Sequence, residues 1–137
     1  IMSTTPDDDG VRMSPTPARR WIYYNVTVVS IIDGDTVRLS IDMGNKITWL
    51  ANFRIDGIDA PEHRYPTIDA ANAATAFLTE LLAGGITELE TYKADKFGRY
   101  LVRIVTPTCP NVALEMLTHN HARPYHGEKK WVADAPQ

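Results

Sequence analysis

Apolar and polar residues follow a strand-like pattern through the first half of the chain. Residues 21–32 are rich in β-branched and aromatic side chains, residues 36–41 alternate between apolar and polar, and residues 47–56 form a third apolar stretch. Glycine-containing segments at 33–34 and 43–46 have the composition of tight turns. The pattern therefore predicts a three-stranded antiparallel meander.

A helical pattern follows in the second half. Apolar residues recur at three- and four-residue intervals between positions 70 and 82. Thr67 or Asp69 is placed to cap the start of a helix, and two glycines at 84–85 are placed to end it. We expect one amphipathic helix over this segment.

Two more strands and a short helix complete the predicted elements. Residues 86–92 and 100–105 have the composition of strands. Asn111 precedes a helical pattern that runs to about His119, and Asn120 suits the left-handed conformation that ends many helices.

This order of elements predicts an α+β fold. We expect a five-stranded OB-fold β-barrel of the partly open Greek-key type, with two to three helices, although the same order suits other α+β folds. Residues 1–20 contain prolines and an acidic run, so we expect a flexible N-terminal tail there. The folded domain is then placed at residues 21–137.

Composition and charge narrow the range of functions. The chain has 137 residues, 44% hydrophobic and 23% charged, which suits one domain with one core, and we expect a monomer. A net charge of −3 argues against a protein that coats nucleic acid through bulk basicity, so any such role needs a local site. Cys109 is the sole cysteine, which excludes an intrachain disulfide. No apolar run is long enough for a membrane helix and no signal-peptide pattern is present, so we expect no membrane partner and leave export open.

Five acidic residues stand at two junctions where predicted strands end: Asp33, Asp35, Asp56, Asp59 and Glu62. A barrel would bring these junctions together. Carboxylates and a backbone carbonyl are ligands that suit calcium, with water and substrate phosphate completing the site. Taken alone, however, an Asp-Gly-Asp sequence is more typical of a simple turn.

Two arginines and a glutamate lie close to these junctions in sequence. The guanidinium groups of Arg54 and Arg99 match the geometry of phosphate oxygens, although a lone arginine more often forms a surface salt bridge or lies at a solvated strand edge. Glu62 follows a stiff Ala-Pro pair and could accept a proton from water. Its structural alternative is an ion pair with Arg64 or Lys96.

Three sequence blocks carry these residues together. They are Asp33-Gly34-Asp35-Thr36-Val37, Arg54-Ile55-Asp56-Gly57-Ile58-Asp59-Ala60-Pro61-Glu62 and Asp95-Lys96-Phe97-Gly98-Arg99. In order and spacing they resemble the staphylococcal nuclease (thermonuclease-like) family, and the resemblance runs from about Val28 to Tyr125.

The resemblance implies an OB-fold nuclease that uses calcium to hydrolyse phosphodiesters of DNA and RNA. It implies cleavage between phosphorus and the 5′-oxygen, which leaves 3′-phosphate ends. Asp35 and Asp59 would bind calcium through their carboxylates, and Ala60 through its backbone carbonyl.

The same resemblance implies three catalytic residues. Arg54 and Arg99 would hold the phosphate, and Glu62 would act as general base or position the attacking water. Three further residues would contact the rest of the substrate: Lys96, Phe97 and Tyr125.

Some positions depart from the family pattern or leave alternatives open. Ala60 stands where Thr is common, which preserves a carbonyl ligand, and Phe97 stands where Tyr is frequent, which preserves stacking but removes a phenolic hydrogen bond. Tyr125 could line a base pocket or simply pack. The scattered histidines favour surface or packing roles over a metal cluster: His63, His119, His121 and His126. The alternative function is a catalytically silent OB module that binds nucleic acid or protein, which the presence of all five site residues makes less favoured.

Overall fold

The alternating stretches form one six-stranded sheet in the computed structural model, which describes residues 20–125. Two helices lie in the same range, and two very short strands form a separate ladder. The elements are β1 Trp21–Tyr23, β2 Val26–Asp33, β3 Thr36–Gly44, β4 Ile47–Ile55, β5 Ile58–Asp59, α1 Ile68–Leu82, β6 Glu88–Ala94, β7 Tyr100–Val105, α2 Val112–Thr118 and β8 Arg123–Pro124.

The strand order in the large sheet is β1-β6-β7-β4-β3-β2. Strands β4 and β7 run parallel, with Phe53 opposite Tyr100, and the other pairs are antiparallel. The α+β prediction of an OB-like domain is confirmed. The strand count differs because the single first strand predicted at 21–32 breaks at residues 24–25, so that its beginning pairs with β6 and its remainder with β3.

The sheet is not closed into a barrel. Strands β1 and β2 are its two edges, and no ladder joins them within residues 20–125. Only two residues separate β1 from β2 in the chain. The end of β1 and the start of β2 are therefore close in space. The sheet therefore curls around the core without completing the ring of hydrogen bonds.

The core lies between the curled sheet and the two helices. Phe53 and Leu39 from the sheet, Leu78 from α1 and Met116 from α2 are all fully buried. Burying each such side chain contributes about 1.5–3 kcal/mol of transfer free energy. Small residues on α1, among them Ala74, let this helix approach the sheet closely.

The predicted helix ends are largely confirmed. Asn111 caps α2, since its side-chain oxygen accepts a hydrogen bond from the Leu114 amide at 3.1 Å, and Asn120 has a positive φ of 62°. Thr67 precedes α1 as predicted, but its hydroxyl does not cap the helix. It donates instead to the carbonyls of Glu62 and Arg64, which ties the loop after β5 to the start of α1.

The remaining predictions about the chain ends lie outside the described residues. These are the tail at 1–20 except Arg20, a third helix, and His126. In the part that is described, neither helix has the length and apolar character needed to cross a bilayer.

Candidate functional site

Two buried carboxylates form the base of the site. Asp35 lies in the turn between β2 and β3, and Asp59 lies on β5; the two residues are 2% and 0% exposed. One Asp35 oxygen accepts a hydrogen bond from the Thr36 hydroxyl and the other from the Ala60 amide, both at 2.9 Å. The Ala60 contact joins the two junctions that the sequence predicted to meet.

Arg54 connects both carboxylates. Its Nη1 lies 3.2 Å from Oδ2 of Asp35 and its Nη2 lies 3.5 Å from Oδ1 of Asp59. Nη2 also donates to the Ile58 carbonyl at 2.7 Å. Residue Arg54 is only 4% exposed, so this is a buried charge network and not the surface salt bridge considered from sequence.

Gly34 allows the acidic turn to sit against the rest of the site. The pairing of Asp33 with Thr36 places Gly34 and Asp35 in the two-residue turn. A Cβ on Gly34 would lie 2.7 Å from Cβ of Ala60 and 2.8 Å from Cβ of Ala74, and the residue does not have a positive φ. Glycine is therefore required here by close packing, and not by the turn conformation that the sequence suggested.

Arg123 is a member of the site to which sequence reasoning gave no role. Strand β8 pairs with β5 so that Arg123 lies opposite Asp59. Its Nε lies 3.8 Å from Oδ2 of Asp59, while Arg54 faces Oδ1. The available signal was a lone arginine between Ala122 and Pro124, in the segment that extends the family resemblance.

A pocket of about 310 Å³ adjoins this buried centre through Arg54, whereas Asp35 and Asp59 do not line it. Arg54 and Arg99 both line it, together with Phe97 and Tyr125. Its cationic side chains outnumber its carboxylates, because Lys93 and Lys96 join the two arginines whereas only Asp56 and Asp95 are acidic. A locally positive cavity thus exists in a chain of net charge −3.

The hairpin after β6 supplies the exposed wall of the pocket. Asp95 accepts hydrogen bonds from the amides of Phe97 and Arg99, each at 2.9 Å, and pairs with the Arg99 guanidinium at 3.0 Å. Burial tends to raise the pKa of Asp95, but these amides and the guanidinium outweigh it and lower the pKa below its ordinary value. Phe97 is 69% exposed, with Arg99 5.4 Å and Lys96 5.5 Å from its ring centroid.

Tyr125 also lines the pocket. Its amide donates to the Gly57 carbonyl at 2.9 Å, and Arg54 lies 4.8 Å from the centre of its ring. Tyr125 thus lines the pocket, and its contact with a base stays a prediction.

Glu62 takes a different position from the other predicted site residues. It does not line the pocket, and its carboxylate lies 2.8 Å from Nη2 of the exposed Arg64. The loop backbone is held by the bond from the Arg64 amide to the Glu62 carbonyl at 2.8 Å. Of the ion pairs considered from sequence, the one with Arg64 is formed.

The two other acids grouped from sequence have separate environments. Burial, then the hydrogen bond and charge of Asp35, raise the pKa of Asp33 to about 7. Asp56 accepts a hydrogen bond from the Tyr92 hydroxyl at 3.0 Å. Burial and the negative charge of Asp56 raise the pKa of Tyr92.

Three histidines have packing or surface contacts. His63 lies 3.1 Å from the Thr75 hydroxyl, and His119 and His121 pack against Phe77. Within residues 20–125 no group of three or more histidine, cysteine or acidic side chains is arranged to hold a metal. A cation at Asp35 and Asp59 would therefore depend on carbonyl, water or substrate oxygens for its other ligands.

Comparison with known proteins identifies the family. A family model described as staphylococcal nuclease homologue matches residues 52–136, which is more than half of the chain. The chain belongs to the staphylococcal nuclease homologue family. The matched part of this nuclease homologue includes Arg54, Asp59, Glu62 and Arg99, whereas Asp35 lies before it. A search of curated proteins found no match. The family supports a nuclease-like or nucleic-acid-binding module with an OB-like fold.

Proposed function

We propose that this nuclease homologue is a calcium-dependent phosphodiesterase that cleaves DNA and RNA and leaves 3′-phosphate ends. The observation that carries the proposal is the pocket that Arg54 and Arg99 share, in which Arg54 also pairs with the buried carboxylates of Asp35 and Asp59. The positive groups that would bind phosphate and the negative groups that would bind a cation therefore belong to one site.

Phosphate binding falls to the two arginines. Arg54 is held by Asp35 and Asp59, so its guanidinium is oriented before substrate arrives. Arg99 is held by Asp95 on the hairpin and exchanges part of that pairing for phosphate oxygens. Oriented donors stabilise the charge that develops in the transition state, and loss of one costs about 10²–10³-fold in rate.

The buried acids fit a calcium ion by their chemistry. Carboxylate oxygens of Asp35 and Asp59 and the carbonyl oxygen of Ala60 would hold it, because hard cations prefer oxygen ligands. When bound, calcium would polarise the phosphoryl oxygen and lower the pKa of a bound water. The neighbouring Arg54 and Arg123 already neutralise part of the negative charge of the two aspartates.

Glu62 accepts the proton from the attacking water in this proposal. The water oxygen bonds to phosphorus, the bond from phosphorus to the 5′-oxygen breaks, and the leaving oxygen takes up a proton. Glu62 must first exchange its contact with Arg64 for the water, which a side-chain rotation allows because its side chain is one-third exposed. A placed base adds about 10²–10⁴-fold to the rate.

The aromatic walls suit single-stranded segments of a substrate. Phe97 and Tyr125 both line the pocket, and Lys96 lies beside Phe97. Bases of either DNA or RNA stack on aromatic rings without sequence preference, and lysines follow the phosphate backbone.

A cleavage assay tests the proposal. Plasmid DNA and a structured RNA are incubated with the protein in calcium or in chelator, and the new ends are examined. We expect calcium-dependent degradation of both, with 5′-hydroxyl ends that polynucleotide kinase labels without prior phosphatase treatment. Absence of cleavage from neutral to alkaline pH would contradict the enzyme proposal.

A second candidate function is a catalytically silent module that binds nucleic acid. The position of Glu62 favours it, because this residue pairs with Arg64 and does not line the pocket. Such a module would bind a fluorescent oligonucleotide at the same pocket and release it intact in the presence of calcium.

A further inference from the structure

The buried centre contains one more guanidinium than the predicted site required. Asp59 is fully buried, and each of its carboxylate oxygens faces a different arginine: Arg54 at 3.5 Å and Arg123 at 3.8 Å. The ladder between β5 and β8 fixes the backbone of Arg123 opposite Asp59. Its position is thus part of the fold and does not depend on a flexible loop.

We propose that Arg123 is a positioning residue that supplies an internal positive charge at Asp59 and thereby weakens the affinity of the site for calcium. The proposal rests on the calcium-dependent function proposed above. Its structural basis is the pairing of charges at the centre within residues 20–125, where the carboxylates of Asp35 and Asp59 pair with the guanidiniums of Arg54 and Arg123.

Electrostatics gives the direction of the effect. A divalent cation at Asp59 Oδ2 would lie close to the Arg123 guanidinium, and like charges repel strongly where burial reduces solvent screening. Calcium binding therefore requires either that Arg123 moves away or that the two charges remain close. Either event costs free energy. A neutral residue at position 123 would avoid this cost.

Arg123 has room to move. Its side chain is 24% exposed, whereas the side chain of Arg54 is 5% exposed. Arg54 also donates to the Ile58 carbonyl, which anchors it. We infer that Arg123, and not Arg54, gives way when a cation binds.

The test is calorimetric titration of calcium into four proteins: wild type, Arg123→Gln, Arg123→Lys and Arg103→Gln. Arg103 is a matched control because it pairs with Glu90 and does not line the pocket. We expect the calcium affinity of Arg123→Gln to be at least about tenfold higher than that of wild type. The expectation follows because a neighbouring arginine shifts the pKa of a carboxylate by about 1–3, which is a tenfold or larger change in a binding equilibrium. Arg123→Lys and Arg103→Gln should stay within about threefold of wild type.

A wild-type measurement covers the case in which Arg123→Gln does not fold. In NMR spectra of the wild-type protein, the Nε–Hε resonance of Arg123 is assigned by its loss in Arg123→Lys. During a calcium titration its chemical shift should change, and the change should give the same calcium affinity as calorimetry. An unmoved resonance at saturation would overturn the inference.

The outcomes separate this inference from the proposed function. Equal or weaker calcium affinity in Arg123→Gln, with wild type binding calcium and cleaving DNA, overturns the role of Arg123 alone. Absence of calcium binding in both proteins overturns the calcium-dependent function and this inference with it.

Discussion

The pocket has two sides with opposite physical character. On one side Arg54 is buried with Asp35 and Asp59, in a network that the fold itself requires. On the other side Arg99 lies on a hairpin, paired with Asp95 and partly exposed to solvent. Arg54 is thus held inside the fold, whereas Arg99 is held by a partly exposed ion pair. Substitutions at the two sides should therefore separate stability from activity.

The largest expected effect is on the buried side. Arg54→Ala would leave the buried carboxylates of Asp35 and Asp59 without their shared guanidinium. Breaking a buried ion pair in this way costs about 3–5 kcal/mol of unfolding free energy. Urea unfolding monitored by tryptophan fluorescence measures it, and a loss below about 1 kcal/mol would contradict the buried network.

The exposed side should show the reverse pattern. Arg99→Gln removes a phosphate donor but breaks only a partly exposed pair with Asp95. We expect kcat to fall about 10²–10³-fold while stability changes by about 1 kcal/mol or less. Steady-state kinetics on a labelled oligonucleotide gives the first quantity. Arg103→Gln, which also breaks a single surface pair, is the control for loss of charge and should leave kcat unchanged.

Motif residues of the site could be predicted from the sequence, whereas contacts set by strand pairing could not. The motif spacing placed Asp35, Arg54, Asp59 and Arg99 around one site, and the structure brings them together. Contacts that depend on tertiary packing could not be read from spacing. Arg123 enters only because β8 pairs with β5, and the bend at residues 24–25 that adds a sixth strand is set by pairing with β6 and β3.

Glycine positions give a smaller test of the buried side. Gly34→Ala forces a Cβ to within 2.8 Å of two alanine side chains, so we expect a loss of about 1–3 kcal/mol in unfolding free energy. Gly84→Ala is the matched control, because no atom lies within 4 Å of its added Cβ and its φ is not positive. That variant should be neutral or stabilised by up to about 1 kcal/mol. Equal effects at both positions would show that Gly34 is not tightly packed.

The smallest expected effect concerns pH and the exposed hairpin. The amides of Phe97 and Arg99 and the Arg99 guanidinium lower the pKa of Asp95 despite its burial. A carboxyl whose folded pKa is depressed stabilises the protein above its unfolded pKa, and this contribution is lost as pH falls through the folded value. Asp95→Asn should therefore flatten the decline in stability below about pH 4, where an unfolded Asp titrates. Thermal melts from pH 7 to pH 3 measure it, and parallel curves for both proteins would contradict the assignment.

Glu62 decides between catalysis and binding alone, because it is the proposed proton acceptor and does not line the pocket. The most direct measurement is turnover of a defined oligonucleotide with saturating calcium by wild type and by Glu62→Gln, with calcium and oligonucleotide affinities measured in parallel. We predict that wild type cleaves, and that Glu62→Gln loses most of its turnover, about 10²-fold or more, while both affinities are retained. A wild-type protein that binds the oligonucleotide and never cleaves it, or a Glu62→Gln protein that cleaves at the wild-type rate, would contradict the account.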